Sequence, residues 1–290
     1  MHLQLSPIVA GVWRLGEWRL EAPALVRWIG QAIELGLTSF DHADIYGGYA
    51  VEAAFGAALA ASPGLRERMQ IVTKCGIKLV SAARPGHAIK SYDSSRAHVT
   101  AAVENSLRAL HTDRIDLLLI HRPDLLADPD ELAETFNALR TAGKVLHFGV
   151  SNHSPSQFAL LHKRFPLVTN QIEFSPLQMG ALADGTLEQA LDLKLPPMVW
   201  SPLAGGRLFS GKDEQAQRVR AVLEALGRER GVSAATMAYA WIRRHPSKPI
   251  LITGSSRTEA LREAVAALDI ALSAEDWYRI WQASMGHEVA

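Results

Sequence analysis

The chain has 290 residues, 48% of them hydrophobic, and its 30 basic and 30 acidic side chains leave no formal net charge. This balance disfavours binding to nucleic acid or to an anionic membrane, and the single cysteine, Cys75, excludes intramolecular disulfides and cysteine-rich metal sites. The N-terminus lacks the basic start and apolar core of a signal peptide, and no run approaches the roughly 18 apolar residues of a membrane span. We therefore expect a cytoplasmic protein without a bound metal.

Short β-branched runs alternate with longer helical patterns along nearly the whole chain. The runs predict strands at 8–12, 38–42, 70–75, 115–121, 145–151, 168–174, 197–202 and 249–253. The longer patterns predict helices at 23–36, 50–61, 94–110, 129–142, 155–164, 186–192, a long region 213–244, 257–268 and 273–284. The last helix begins at a Ser273-x-x-Asp276 capping pattern.

Eight strands, each followed by a helix, predict an α/β fold of the (β/α)8 TIM-barrel type with an extra C-terminal helix. A doubly wound sheet is the rival interpretation, but no Gly-x-Gly-x-x-Gly follows the first strand. Since no low-complexity linker divides the sequence, we predict a single domain over residues 1–290.

Polar side chains follow almost every predicted strand, at the barrel face where active sites lie. The second strand ends at Asp41 with Tyr46 in the next loop, the third ends at Lys74 and the fourth at His121. An Asp or Tyr at a strand end is most often a turn former, but four unlike groups at three strand ends favour an active site. A phenol has a pKa of about 10, so Tyr46 would need a neighbouring cation to donate a proton efficiently near neutrality.

The motifs that carry these residues resemble those of the aldo-keto reductase family, in its bacterial branch, over nearly the whole chain. They are Phe40-Asp41-His42-Ala43-Asp44-Ile45-Tyr46-Gly47, Thr73-Lys74-Cys75-Gly76, Leu119-Ile120-His121-Arg122-Pro123-Asp124, Gly143-Lys144-Val145-Leu146-His147-Phe148-Gly149-Val150-Ser151-Asn152 and Asn170-Gln171-Ile172-Glu173-Phe174-Ser175-Pro176.

This resemblance implies a TIM barrel that reduces aldehydes and ketones with NADPH. It implies that Tyr46 is the general acid, that Lys74 lowers the pKa of the phenol and that Asp41 holds Lys74 in place. His121 would orient the carbonyl group. Hydride addition builds negative charge on oxygen, so donors aimed at that atom stabilise the transition state.

The resemblance also implies the cofactor and substrate contacts. The cofactor-binding set is Ser151, Asn152 and Gln171 for the nicotinamide carboxamide, Trp200 for ring stacking, Ser201, then Leu203, Gly205 and Arg207 along the pyrophosphate, and Gly254, Ser255, Ser256 and Arg257 around the 2′-phosphate. Trp13 would line the substrate pocket, and Gly76, where many relatives carry an aromatic residue, suggests a wider pocket.

Two departures from the family pattern concern the 2′-phosphate site. Ala260 and Ala264 stand where the family often carries an Arg and an Asn, which leaves Arg257 and the serine hydroxyls, with Arg262 as a substitute. NADPH is the expected cofactor, and NADH use remains open.

Two other functions remain open at this point. Lys74 could form a Schiff base in an aldolase, although Asp41 would keep it charged. Alternatively, the protein could act through a partner, as channel β subunits of the same family do. We expect a monomer with a small carbonyl substrate, covered by the loop 77–93 and the tail beyond Ala283. Glu52 is interpreted as capping or decorating the second helix.

Overall fold

The computed structural model describes residues 3–290, which form ten strands and twelve helices. The strands are β1 (Ile8–Gly11), β2 (Ser39–Asp41), β3 (Gln70–Cys75), β4 (Ile77–Lys78), β5 (Ser91–Tyr92), β6 (Ile115–Ile120), β7 (Val145–Ser151), β8 (Asn170–Glu173), β9 (Met198–Trp200) and β10 (Ile250–Thr253). The helices are α1 (Leu15–Trp18), α2 (Ala22–Glu34), α3 (Val51–Ala61), α4 (Arg96–Ala109), α5 (Pro129–Thr141), α6 (Pro155–His162), α7 (Thr186–Leu193), α8 (Arg207–Ser210), α9 (Glu214–Arg230), α10 (Ala234–Arg243), α11 (Thr258–Ala266) and α12 (Ala274–Met285). None of the helices in this range is long and apolar enough to cross a membrane.

Eight of the strands close into a barrel in the order β1-β2-β3-β6-β7-β8-β9-β10. Neighbouring strands run parallel, with Phe40 opposite both Ala10 and Ile71, and Lys74 opposite Leu119. The strands are buried and rich in Val, Ile and Leu, as expected for a parallel sheet covered on both faces. The predicted (β/α)8 barrel is confirmed.

The chain divides into two compact units, and the single-domain interpretation of residues 1–290 stays a prediction. The first unit contains the described residues up to Gln171, together with 254–256. Its helix α5 packs on β7 through Phe136 and Phe148, whose rings are stacked with centroids 4.3 Å apart.

The second unit contains residues 172–253 and 257–290. Its C-terminal helix α12 packs against α10 through the stacked indole rings of Trp241 and Trp277, whose centroids are 5.0 Å apart. Each indole N–H donates to the backbone carbonyl of the other tryptophan, at 3.0 and 3.1 Å. The predicted Ser273 cap is present, since the Ser273 hydroxyl accepts from the Asp276 amide at 3.0 Å.

Three local predictions were wrong or incomplete. The region 213–244 is two helices, α9 and α10, because Gly231 takes a left-handed conformation (φ 66°) that ends α9. The loop 77–93 contains the short antiparallel pair β4–β5. The short helices α1 and α8 were not predicted.

Candidate active site

The ammonium group of Lys74 is the centre of a buried hydrogen-bond network at the ends of β2 and β3. It donates to Asp41 Oδ2 at 2.7 Å, to the His42 carbonyl oxygen at 2.7 Å and to the Tyr46 hydroxyl at 3.0 Å. An ammonium group has three hydrogens, so each has an acceptor. Lys74 is therefore held in one position as a charged group.

The loop after β2 brings Tyr46 back over Lys74. Gly47 and Gly48 both have positive φ values, 58° and 66°, in the 3₁₀ turn that starts at Tyr46. A Cβ atom on Gly47 would lie 2.9 Å from the Val51 side chain, so this position requires glycine. The turn leaves Lys74 Nζ 5.0 Å from the centroid of the Tyr46 ring.

His121 stands beside Tyr46, with ring centroids 6.0 Å apart and an edge-on angle of 78°. Its backbone amide donates to the Cys75 carbonyl at 2.9 Å, which fixes the end of β6 next to β3. Burial, followed by the charges of Lys74 and Arg122, holds the pKa of His121 well below its ordinary value. The imidazole is therefore neutral near pH 7 and can donate a hydrogen bond without carrying charge.

The protonation states of Tyr46 and Lys74 differ in part from the sequence-based expectation. Burial raises the pKa of Tyr46 above its ordinary value, and this outweighs the opposing effect of the Lys74 charge. Burial alone would lower the pKa of Lys74, but the charge of Asp41 and the Tyr46 hydroxyl raise it overall. Lys74 does act to lower the phenol pKa, as expected, yet Tyr46 stays fully protonated at neutral pH.

Gln171 connects this network to the residues expected to bind a nicotinamide carboxamide. Its side-chain amide donates to Asp41 Oδ1 at 2.8 Å. Its backbone carbonyl oxygen accepts from the Ser151 hydroxyl at 3.0 Å and from the backbone amide of Asn152 at 2.8 Å. The Asn152 side chain in turn donates to the Ser151 hydroxyl at 2.7 Å. Asn152 has a left-handed backbone (φ 57°), a conformation that Asn tolerates better than most residues.

Five predicted cofactor residues belong to the second unit and follow β9. Trp200 ends that strand and is half-buried, and Ser201 has a left-handed backbone (φ 50°). Leu203 is half-buried, and Gly205 (φ 65°) lies inside a 3₁₀ turn. Arg207 is exposed and donates to Gln215 at 3.0 Å.

The expected 2′-phosphate residues form the segment that enters α11. Gly254, Ser256 and Arg257 are exposed, and the Ser255 carbonyl accepts from the Trp28 indole at 3.2 Å. Arg257 is the N-cap residue of α11, next to the backbone amides that start the helix. This arrangement suits an anion.

The two departures in α11, Ala260 and Ala264, have different surroundings, and Ala260 is half-buried. Ala264 is fully buried, so its side chain belongs to the core of the second unit. Arg262 is exposed and forms an ion pair with Glu259 at 3.2 Å. The position of Ala264 therefore faces the protein interior.

The two predicted substrate-pocket residues differ in environment. Trp13 follows β1 and is 56% exposed, with the Arg14 guanidinium 5.2 Å from its ring centroid. Gly76 is buried and has a φ of +102°, where any side chain would be strained. The glycine is thus required by the backbone after β3, whatever its effect on pocket width.

The interpretation of Glu52 as a cap or surface group was wrong. Ala50 is the N-cap of α3, and Glu52 is buried, accepting from the Thr73 hydroxyl at 2.6 Å and the Ser106 hydroxyl at 2.9 Å. A cavity of about 450 Å³ adjoins it and Asp44, without contact to Asp41, Tyr46, Lys74 or His121. The signal in the sequence was one charged residue in a helix that is otherwise small and apolar.

The Aldo/keto reductase family model matches residues 7–284. The chain belongs to this family. It is 48% identical over 289 residues to the oxidoreductase YdhF of Escherichia coli, covering 99% of this chain and 96% of that one. It is 42% identical over 291 residues to a 6-dehydroglucose reductase of Agrobacterium fabrum, covering 99% and 97%. The protein is accordingly an oxidoreductase enzyme.

Solved structures of aldo/keto reductases share the barrel. The glycerol dehydrogenase of Gluconobacter oxydans superposes with a TM-score of 0.86 at 25% identity, covering 99% of this chain and 94% of that one. An aldo/keto reductase of Klebsiella pneumoniae, in complex with NADP and acetate, superposes with a TM-score of 0.77 at 28% identity, covering 95% and 90%.

Proposed function

We propose that this aldo/keto reductase reduces aldehydes or ketones to alcohols with NADPH, and that Tyr46 is the general acid. The observation that supports this best is the placement of Lys74, which donates to Asp41 and Tyr46 at once. A protonated phenol with a buried ammonium group behind it and a neutral imidazole beside it matches the needs of carbonyl protonation.

The bound nicotinamide would supply the hydride. Tyr46 and His121 would both donate hydrogen bonds to the carbonyl oxygen, where negative charge develops. An alkoxide is a stronger base than a phenolate, so proton transfer from Tyr46 is downhill even with a raised phenol pKa. Lys74 stabilises the phenolate that remains, at a distance of 3.0 Å in the resting site.

The donor groups of the first unit suit a nicotinamide carboxamide. Asn152 and Gln171 provide amide groups, Ser151 provides a hydroxyl, and the three are already linked to one another. Arg257 at the start of α11 supports NADPH over NADH, since a guanidinium favours the extra phosphate. In the second unit we assign Trp200, Ser201, Leu203, Gly205 and Arg207 to the same cofactor on family grounds.

The substrate class is a small molecule with a carbonyl group. The Agrobacterium fabrum relative is a 6-dehydroglucose reductase, so oxidised sugars belong in a screen of aldehydes and ketones. Trp13 is the exposed aromatic residue of the first unit that we propose to contact substrate.

A Schiff-base aldolase is disfavoured by the state of Lys74. A nucleophilic lysine must be deprotonated, whereas the pKa of Lys74 is raised by Asp41 and Tyr46 and all three of its hydrogens are donated. Borohydride treatment with a carbonyl substrate should therefore yield no adduct at Lys74.

The proposal is tested with Tyr46→Phe. Loss of the phenolic proton should lower turnover about 10²–10⁴-fold, because Tyr46 is the group that we propose to protonate the carbonyl oxygen. NADPH binding by Tyr46→Phe, followed by tryptophan fluorescence, should stay at the wild-type level. If the wild type itself binds NADPH but reduces no carbonyl compound, the alternative that the protein acts through a partner would be favoured. Full activity in the variant would refute the assignment of Tyr46.

A further inference from the structure

Glu52 is a buried carboxyl group that the reaction scheme does not use. It lies on α3, six residues after Tyr46, and is 5% exposed. One of its oxygens accepts from the Thr73 hydroxyl at 2.6 Å and the other from the Ser106 hydroxyl at 2.9 Å. Burying a carboxyl group is costly unless its oxygens are well paired. Burial raises the pKa of Glu52, and the hydrogen bonds from Thr73 and Ser106 act in the opposite direction.

The hydrogen-bonded pair Glu52 and Thr73, here called the Glu52 bridge, connects the element that carries Tyr46 to the strand that carries Lys74. Thr73 precedes Lys74 on β3, and because side chains alternate along a strand, Thr73 faces the helices while Lys74 faces Asp41. Glu52 belongs to the helix that directly continues the Tyr46 loop. The Glu52–Thr73 bond therefore joins the element that carries Tyr46 to the strand that carries Lys74.

Besides the hydrogen bonds of the Lys74 ammonium group to the Tyr46 hydroxyl and the His42 carbonyl, backbone hydrogen bonds join these elements. The Asp44 amide donates to the Lys74 carbonyl at 3.0 Å, and the His42 amide donates to the Val72 carbonyl at 2.8 Å. These bonds position the start of the loop, before Tyr46. The Glu52 bridge holds its far end, so the Tyr46 turn is fixed on both sides.

We propose that Glu52 is a positioning residue for the reaction: through Thr73 it sets the separation of the Tyr46 hydroxyl and Lys74 Nζ. The inference rests on the proposed function. The hydrogen bond from Ser106 on α4 pairs the second oxygen of Glu52 without involving β3, so it lies outside the Glu52 bridge.

The structure offers a matched pair of variants to test this. Thr73→Val removes the hydroxyl on the β3 side while keeping the branched shape, and Thr73→Ser restores it. Ser106→Ala removes the hydroxyl on the α4 side of the same carboxylate.

The first readout does not need a substrate. The protein has five tyrosines, so labelling with [¹³Cζ]tyrosine gives five resonances, and Tyr46→Phe identifies that of Tyr46. Thr73→Val should shift the Tyr46 resonance, because its hydrogen bond from Lys74 changes, and Thr73→Ser should return it. Ser106→Ala should leave it in place. Equal shifts from Thr73→Val and Ser106→Ala, or no shift from Thr73→Val, would overturn the proposal.

The second readout is the reduction of 4-nitrobenzaldehyde by NADPH. Thr73→Val should lower kcat by at least about tenfold, with NADPH affinity unchanged within about twofold, while Ser106→Ala keeps the wild-type kcat. A wild-type protein that reduces no carbonyl compound would refute the proposed function. The tyrosine resonances would then still decide the role of Glu52.

Discussion

Removing Lys74 tests whether the buried ion pair with Asp41 holds the site together. The two side chains are only 1% and 4% exposed, so Lys74→Met leaves the Asp41 carboxylate buried with the Gln171 amide as its remaining side-chain donor, at 2.8 Å. Breaking a buried pair costs about 3–5 kcal/mol. Because the hydrogen bond from Gln171 to Asp41 remains, we expect Lys74→Met to lower the free energy of unfolding by about 3 kcal/mol, near the lower end of this range.

Urea unfolding at pH 7, followed by circular dichroism, gives the free energies for Lys74→Met, Asp41→Asn and the double variant. The double variant no longer buries an unpaired charge, so it should be more stable than the sum of the single effects by about 2 kcal/mol. Additivity within about 0.5 kcal/mol would show that the two side chains are not energetically coupled and would refute the reasoning.

We also expect the destabilisation caused by Lys74→Met to depend on pH. The pKa of Lys74 is raised in the folded protein, so the unfolded chain releases this proton first as the pH rises. The stability that Lys74 contributes is present below about pH 10.4, the ordinary lysine value, and is lost as the pH rises through the folded value. The difference between wild type and Lys74→Met should therefore narrow at alkaline pH.

Three further predictions concern single residues. Burial lowers the pKa of His42 to about 3, so between pH 7.5 and 5.5 the unfolded chain takes up a proton at His42 that the folded protein does not. The free energy of unfolding should therefore fall by about 1.4 kcal/mol more in the wild type than in His42→Leu. Equal decreases in urea unfolding would contradict this. Gly76→Ala should lower the free energy of unfolding by about 1–2 kcal/mol, because φ at Gly76 is +102°. Gly86→Ala is the control, since a Cβ atom added there has no atom within 4 Å, and it should change the free energy of unfolding little. Arg257→Ala should weaken NADPH binding about tenfold or more but leave NADH binding unchanged, with Arg279→Ala on α12, where Arg279 pairs with Glu275, as the control. Equal weakening of both cofactors in fluorescence titrations would contradict the assignment of Arg257 to the phosphate site.

The barrel was predictable because its signal is periodic and local. Each strand is a short β-branched run, and a parallel strand must be followed by a covering segment, so element order alone indicates the fold. The errors occurred where a single residue decides. Gly231 divides one continuous helical pattern in two, and nothing in the hydrophobic period marks the break.

The clustering of Asp41, Lys74 and His121 was predictable, because the strand ends of a parallel barrel converge on one face. Their protonation was not, since it depends on how fully the folded chain removes water from Tyr46. Glu52 was misjudged for a related reason. Its two partners, Thr73 and Ser106, are 21 and 54 residues away. The local sequence marks Glu52 as a lone charge in an apolar helix, but it cannot indicate partners at that separation.

The hydrogen bond from Gln171 to Asp41 limits how this enzyme can be modified. An engineer who wishes to change cofactor handling would find Gln171 an unsuitable position, because a substitution there also alters the carboxylate that holds the acid's ammonium partner. Under the proposed function, a substitution of Gln171 would therefore affect both cofactor binding and proton transfer. The segment before α11, which we propose to hold the 2′-phosphate, is a better place for substitutions that aim to change the cofactor.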